Sequence, residues 1–193
     1  MNISIKQWFP KPIYSVDTLL TDQLEYYENT IHQYINNSKG SKRNDWLANL
    51  EFQTEPYLHT DPKFQPLVDQ IYIHSKNFLV ELGYHEYIEN IKITNMWAVV
   101  SHNGDYIAPH VHPHSILSGV FYIKKYSDST ITFYNDITSM MPQPTISTEY
   151  NYPCCSYECN PGTMLLWKSD FLHGTKKQLS GEKIAVSFNL SCT

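Results

Sequence analysis

Hydrophobic positions along this chain recur with two different periods, and the change falls near residue 84. Between Asp17 and Asn37, Leu19, Leu20, Leu24, Tyr27, Ile31, Tyr34 and Ile35 return every three or four residues. That spacing predicts an amphipathic helix with one buried face. A second such run over 63–82 carries Phe64, Leu67, Ile71, Ile73, Phe78, Leu79 and Leu82, with Gly83 placed as a C-cap. Ahead of the first helix, Pro10 and Pro12 exclude helix, so residues 1–14 read as an extended lead-in. Residues 38–62 are polar and turn-rich, with Trp46, Leu47, Leu50 and Phe52 as anchors.

After Tyr84 the pattern becomes that of strands. Ile91–Val100 is β-rich, and Asn103-Gly104 is a strong turn dipeptide before a strand over Tyr106–His112. Further strands are expected at Ile116–Lys124, Thr130–Tyr134, Cys154–Glu158, Thr163–Lys168 and Ile184–Ser191. Residues 135–153 form a long loop with Pro142, Pro144 and Pro153, a candidate lid. Helices first and then about eight short strands predict an α+β, mainly β chain. The expected architecture is a double-stranded β-helix, a cupin-like jelly roll, with the N-terminal helices packed on one sheet. A length of 193 residues suits one domain, divided here into a helical support region, 1–88, and a jelly-roll core, 89–193.

Composition narrows the function classes. A net charge of −5 with no long basic run speaks against a nucleic-acid groove. No apolar stretch approaches the roughly 20 residues of a membrane span. The first ten residues lack a signal-peptide core, which predicts a cytoplasmic protein, monomeric or homodimeric. Cys154, Cys155, Cys159 and Cys192 are read as free thiols, because C-C-x-x-x-C is not a zinc-ligand spacing.

The chemistry gathers in three places. His110 and His112 stand two apart in the run Gly104-Asp-Tyr-Ile-Ala-Pro-His-Val-His112. On a strand, such residues share a face roughly 6–7 Å apart, and two imidazoles there can meet one metal ion. His173 closes the run from Pro161, and Lys183 follows it by ten residues. A His-x-His pair, a distant His and a cation at that interval describe a metal site with an anion clamp. Asp105, His114 and Asp170 are alternative ligands, and three imidazoles suit zinc as well as iron.

These motifs resemble the 2-oxoglutarate- and Fe(II)-dependent oxygenases. Pro161-Gly162…Leu165-Leu166-Trp167…His173 is similar to the family's strand carrying the distal His, and Gly181–Asn189 to the strand after it. His110-Val-His-Pro-His-Ser-Ile-Leu-Ser-Gly-Val-Phe-Tyr122 looks closest to the putative 2OG-Fe(II) oxygenases of phages and bacteria. The resemblance implies Fe(II) held by His110, His112 and His173, and 2-oxoglutarate as cosubstrate with O2. It implies Lys183 as the cosubstrate clamp, as in prolyl 4-hydroxylases; Ser187, Tyr122 and Tyr134 are candidate hydroxyl donors beside it. Asn95 and Trp97 are expected on the substrate side, facing a small molecule or a peptide. The departure is His112, where the wider superfamily carries a carboxylate. A non-oxygenase cupin that binds metal or a small molecule is the alternative. Its second motif half is missing, since Leu117 stands where that motif needs Glu.

Overall fold

A computed structural model describes residues 3–6, 9–125, 129–135 and 144–192. Two α-helices precede most of a single antiparallel sheet. The strands are β1 (Ile13–Val16), β2 (Gly40–Asn44), β3 (Ala48–Thr54), β4 (Ile91–Ser101), β5 (Tyr106–His110) and β6 (Leu117–Lys124). They continue with β7 (Thr130–Tyr134), β8 (Cys154–Glu158), β9 (Met164–Lys168), β10 (His173–Thr175) and β11 (Lys183–Cys192). Helices α1 (Leu24–Asn36) and α2 (Gln65–Glu81) complete the fold. The strand order is β1-β9-β6-β11-β4-β3-β5-β10-β7-β8, with β2 on β3. This is the expected jelly-roll class: β1, β9, β6, β11 and β4 form one wall, β5, β10, β7 and β8 the other, and β3 joins them.

Alternation in the larger wall decides where everything else sits. Ile184, Val186, Phe188 and Leu190 of β11, with Leu117, Phe121 and Ile123 of β6, point outward into a core capped by the helices. Tyr27 and Ile31 of α1, and Leu67, Ile71 and Phe78 of α2, fill that core. Full burial of each such side chain is worth about 1.5–3 kcal/mol. The other parity faces inward: Val120, Tyr122, Leu165, Trp167 and Ala185 form the inner cluster. On β4 the parity changes. Ile93 and Met96 both join the outer core, because the pairing with β11 slips between Asn189↔Asn95 and Leu190↔Ile93. This bulge puts Asn95 and Trp97 on the inward parity with Lys183 and Ser187.

Three expectations need correcting. The first helix begins at Leu24, not Asp17. Thr18 and Leu20 adopt left-handed backbone, and Leu19 N–H donates to Gly162 O at 2.8 Å, so this stretch docks on the turn before β9 instead of coiling. Residues 38–62 contain the β2–β3 hairpin, and Trp46, expected as an anchor, is 87% exposed at its tip. The strand of the His-x-His pair stops at His110. The second helix is close to expectation, and Gly83 caps it with a φ of 84°. The lid assigned to 135–153 falls partly on residues 136–143, which lie outside the described residues; 144–152 carry no helix or strand.

Candidate active site

His173 opens β10, a three-residue strand held between β5 and β7. It pairs directly with His110 on β5 and with Phe133 on β7. Residues opposite one another in an antiparallel pair bring their side chains together, so the distant histidine meets the first by register. The close approach depends on Gly174, where a Cβ would lie 2.7 Å from Ile107 O and 3.0 Å from Pro109 N. His112 arrives differently. It lies beyond the strand, and its N–H donates to Ser169 O at 3.0 Å, which ties it to the end of β9. Its ring stacks near Trp97, with centroids 6.2 Å apart and planes 29° apart.

The three imidazoles converge. One ring nitrogen from each lies within 4.8 Å of the others, and His112 Nε2 is 3.2 Å from His173 Nε2. Two donors on one ion at about 2.1 Å each stand roughly 3.0–3.4 Å apart, so this spacing fits a shared metal. The tautomers fit as well. The ring nitrogen Nδ1 of His110 lies 2.9 Å from Ala108 O, and that of His173 lies 2.8 Å from Phe171 O. A proton on each Nδ1, donated to the carbonyl, leaves each Nε2 lone pair for a ligand role. Burial, and then the neighbouring ring of His110, lowers His112 to about 4 and His173 to about 3. His110 is lowered too, again mainly by burial. Neutral rings are what metal coordination requires.

The same cavity is lined by Lys183, Tyr122, Ser187 and Trp97 together with all three histidines. Its volume is about 70 Å³. Lys183 is only 6% exposed. Cys159, fully buried, lies beside it: burial raises the thiol, while the Lys183 charge and the bond from Tyr122 oppose that rise. Burial and Cys159 push the Tyr122 hydroxyl well above its ordinary value. Asn95 lies outside this cavity, in an outer groove with Trp97, His110 and His112.

The alternative ligands are placed elsewhere. Asp105 accepts from Asn49 Nδ2 at 2.7 Å and from the N–H groups of Glu51 and His102, each at 2.8 Å. Its carboxylate is thus spent on fastening the β4–β5 turn to β3. Asp170 is exposed and borders a different pocket. His114 sits in left-handed backbone on the rim of the outer groove. All four cysteines are free thiols. Arg43 was missed. It comes from β2 and lines both the cavity and the groove, but a polar five-residue strand gives no periodic signal to mark it. A second group, Glu28, His32 and Glu182, also gathers potential ligands. Lys124 already bonds Glu28 at 2.6 Å and Glu182 at 2.9 Å. This second group is an ion-pair knot tying α1 to the turn before β11.

Residues 95–189 match the family described as putative 2OG-Fe(II) oxygenase. No curated protein matches the sequence. The fold is similar to a Pseudomonas putida prolyl-4-hydroxylase at 8% identity and a TM-score of 0.65, covering 95% of this chain and 94% of that one. It is similar to a viral collagen prolyl hydroxylase from Paramecium bursaria Chlorella virus-1, a 2-oxoglutarate complex, at 16% identity and TM-score 0.62, covering 94% and 96%. HygX from Streptomyces hygroscopicus, with nickel and 2-oxoglutarate bound, aligns at 9% identity and TM-score 0.63, covering 95% and 84%. At such identities the likeness is one of fold. The family match spans Asn95 on β4 to Asn189 on β11 and takes in all three histidines and Lys183. Over residues 95–189 the chain thus matches the 2OG-Fe(II) oxygenase family in sequence.

Among the described residues, no helix is long and apolar enough to cross a membrane.

Proposed function

We propose that this chain is a 2-oxoglutarate-dependent hydroxylase whose Fe(II) is held by His110, His112 and His173. The observation that carries the reading is the shared cavity, in which three converging imidazoles and a buried lysine face one another. When bound, Fe(II) and 2-oxoglutarate supply O2 activation coupled to decarboxylation of the cosubstrate to succinate and CO2, with one oxygen atom inserted into a substrate C–H bond.

The chain's own residues do the rest. Ala108 O and Phe171 O fix the tautomers of His110 and His173 and hold both rings in place. Three neutral imidazoles add no negative charge, so a divalent ion and Lys183 together call for a dianionic cosubstrate. Lys183 takes its far carboxylate as a point charge. Ser187, on the same strand face, would add a hydroxyl donor; the Tyr122 hydroxyl, in the same lining, is engaged with Cys159. Val120, Ile131 and Trp167, also in the lining, keep bulk water away. The substrate, a small molecule or a peptide, enters by the outer groove past Asn95 and Trp97. Four free thiols suit a reducing cytoplasm.

The test is anaerobic loading with Fe(II) and 2-oxoglutarate, then admission of O2. Succinate should form in the wild type and be lost in His173→Ala. A wild type that binds small ligands yet never converts 2-oxoglutarate to succinate refutes the hydroxylase reading.

A further inference from the structure

Beyond the triad lies a groove of about 540 Å³, within the roughly 300–1,000 Å³ of ordinary ligand sites. Arg43, Asn95, Trp97 and His114 border it, along with His110 and His112. Two of its polar side chains, Arg43 and Asn95, are donors held by neighbouring hydrogen bonds. Arg43 Nε donates to Asp45 at 2.9 Å and Nη1 to Gln53 Oε1 at 3.3 Å. These bonds immobilise the guanidinium, and among the described residues Nη2 has no hydrogen bond. The Nη1–Nη2 end of the fork keeps donors to offer. Arg43 lines both this groove and the inner cavity with His110 and His112, so it stands near the reacting centre.

Asn95 is oriented by a hydrogen-bonded chain. Ser118 Oγ donates to Asn189 Oδ1 at 2.8 Å, and Asn189 Nδ2 donates to Asn95 Oδ1 at 2.9 Å. With its oxygen used, Asn95 borders the groove with its amide N–H groups still to donate. Among the described residues, none of the lining side chains is a carboxylate. The groove offers the Arg43 charge and the Asn95 amide beside the Trp97 indole, and no negative side chain among the described residues lines it to repel an anion.

We propose that the substrate is a small molecule bearing a carboxylate, which docks on Arg43 while Asn95 takes a second oxygen acceptor of the same molecule. This deepens the hydroxylase reading and rests on it. The two anchors select which carbon lies over the triad. Lys183 binds the cosubstrate from the inner cavity, so the two carboxylates are held by different cations. Arg43 also borders the inner cavity, and the experiment must separate a substrate anchor from a second cosubstrate anchor.

The full chain, loaded anaerobically with Fe(II) and 2-oxoglutarate, is titrated calorimetrically with L-amino acids, their N-acetyl derivatives and 2-hydroxy acids. The matching primary amides are titrated in parallel. At least one acid should bind, and its amide at least tenfold more weakly. Arg43→Gln should erase that preference and Arg43→Lys should keep part of it. Both variants should bind 2-oxoglutarate within twofold of the wild type, which also shows that they are folded. Equal binding of acids and amides, or no acid binding at all, overturns the proposal. So does a tenfold loss of 2-oxoglutarate affinity in Arg43→Gln, which would make Arg43 a cosubstrate residue. A wild type that fails to bind 2-oxoglutarate would overturn the hydroxylase reading itself, and this inference with it.

Discussion

Replacing Lys183 probes the proposed cosubstrate clamp without touching any of the three proposed metal ligands. The side chain is 6% exposed, opens β11, and shares a cavity with the triad. In so buried a position its attraction for a carboxylate escapes most solvent screening. Removing one partner of a buried charge pair costs about 2–5 kcal/mol. At 1.4 kcal/mol per tenfold, Lys183→Ala should weaken 2-oxoglutarate binding roughly 30- to 4,000-fold. Lys183→Met keeps much of the length and apolar stem while removing the charge. It should lose nearly as much affinity, which separates charge from packing. The main-chain pairing of β11 with β4 and β6 does not depend on this side chain, so both variants should fold. The assay is anaerobic titration of the Fe(II)-loaded protein with 2-oxoglutarate, followed by calorimetry, with metal affinity measured separately and expected unchanged. A dissociation constant within threefold of wild type in both variants would refute the clamp.

Other outcomes follow from the same geometry. Gly174→Ala should destabilise the fold by about 1–3 kcal/mol and weaken metal binding, because its Cβ would meet Ile107 O at 2.7 Å and force β5 from β10; denaturant unfolding and metal titration check this, and an unchanged pair of values contradicts it. His112 and His173 are depressed to about 4 and about 3, from about 6.5 in the unfolded chain. The unfolded chain therefore takes up protons first, so the metal-free protein should hold its stability above about pH 6.5 and lose it as pH falls towards 4. Thermal unfolding scans across that range test it, and a flat melting temperature counts against a buried neutral triad. Glu182→Gln should cost about 1 kcal/mol or less, since its pair with Lys124 is partly exposed; a loss above 3 kcal/mol by chemical denaturation would show that the knot governs the fold.

Legibility from sequence differed by element for physical reasons. The helices announced themselves because one face of each is buried, which writes a period into the chain; β6, β9 and β11 are buried on both faces and read instead as short, nearly continuous apolar runs. The strands of the β2–β3 hairpin differ in this respect. β2 is Gly-Ser-Lys-Arg-Asn and exposes most of its side chains, so no apolar period exists to find. β3 alternates buried and exposed positions cleanly, and that signal was there to be read in Leu50 and Phe52. The meeting of His110 with His173 was expected only from spacing and family likeness. Its cause is the register of β10, a strand of three residues too short to show a period. Asn95 and Trp97 owe their inward parity to a bulge, which single-strand alternation does not predict. Arg43 reaches the site through a fold-back of the chain that leaves no local trace.

In the proposed site one divalent ion sits among three imidazoles. Anaerobic Fe(II) titration with bound metal counted per chain, run on wild type and on His173→Ala, tests it most directly. One tightly held ion per wild-type chain is expected, with loss of that ion in the variant, whose fold should persist by circular dichroism. A folded His173→Ala that still binds one Fe(II) with wild-type affinity would contradict it.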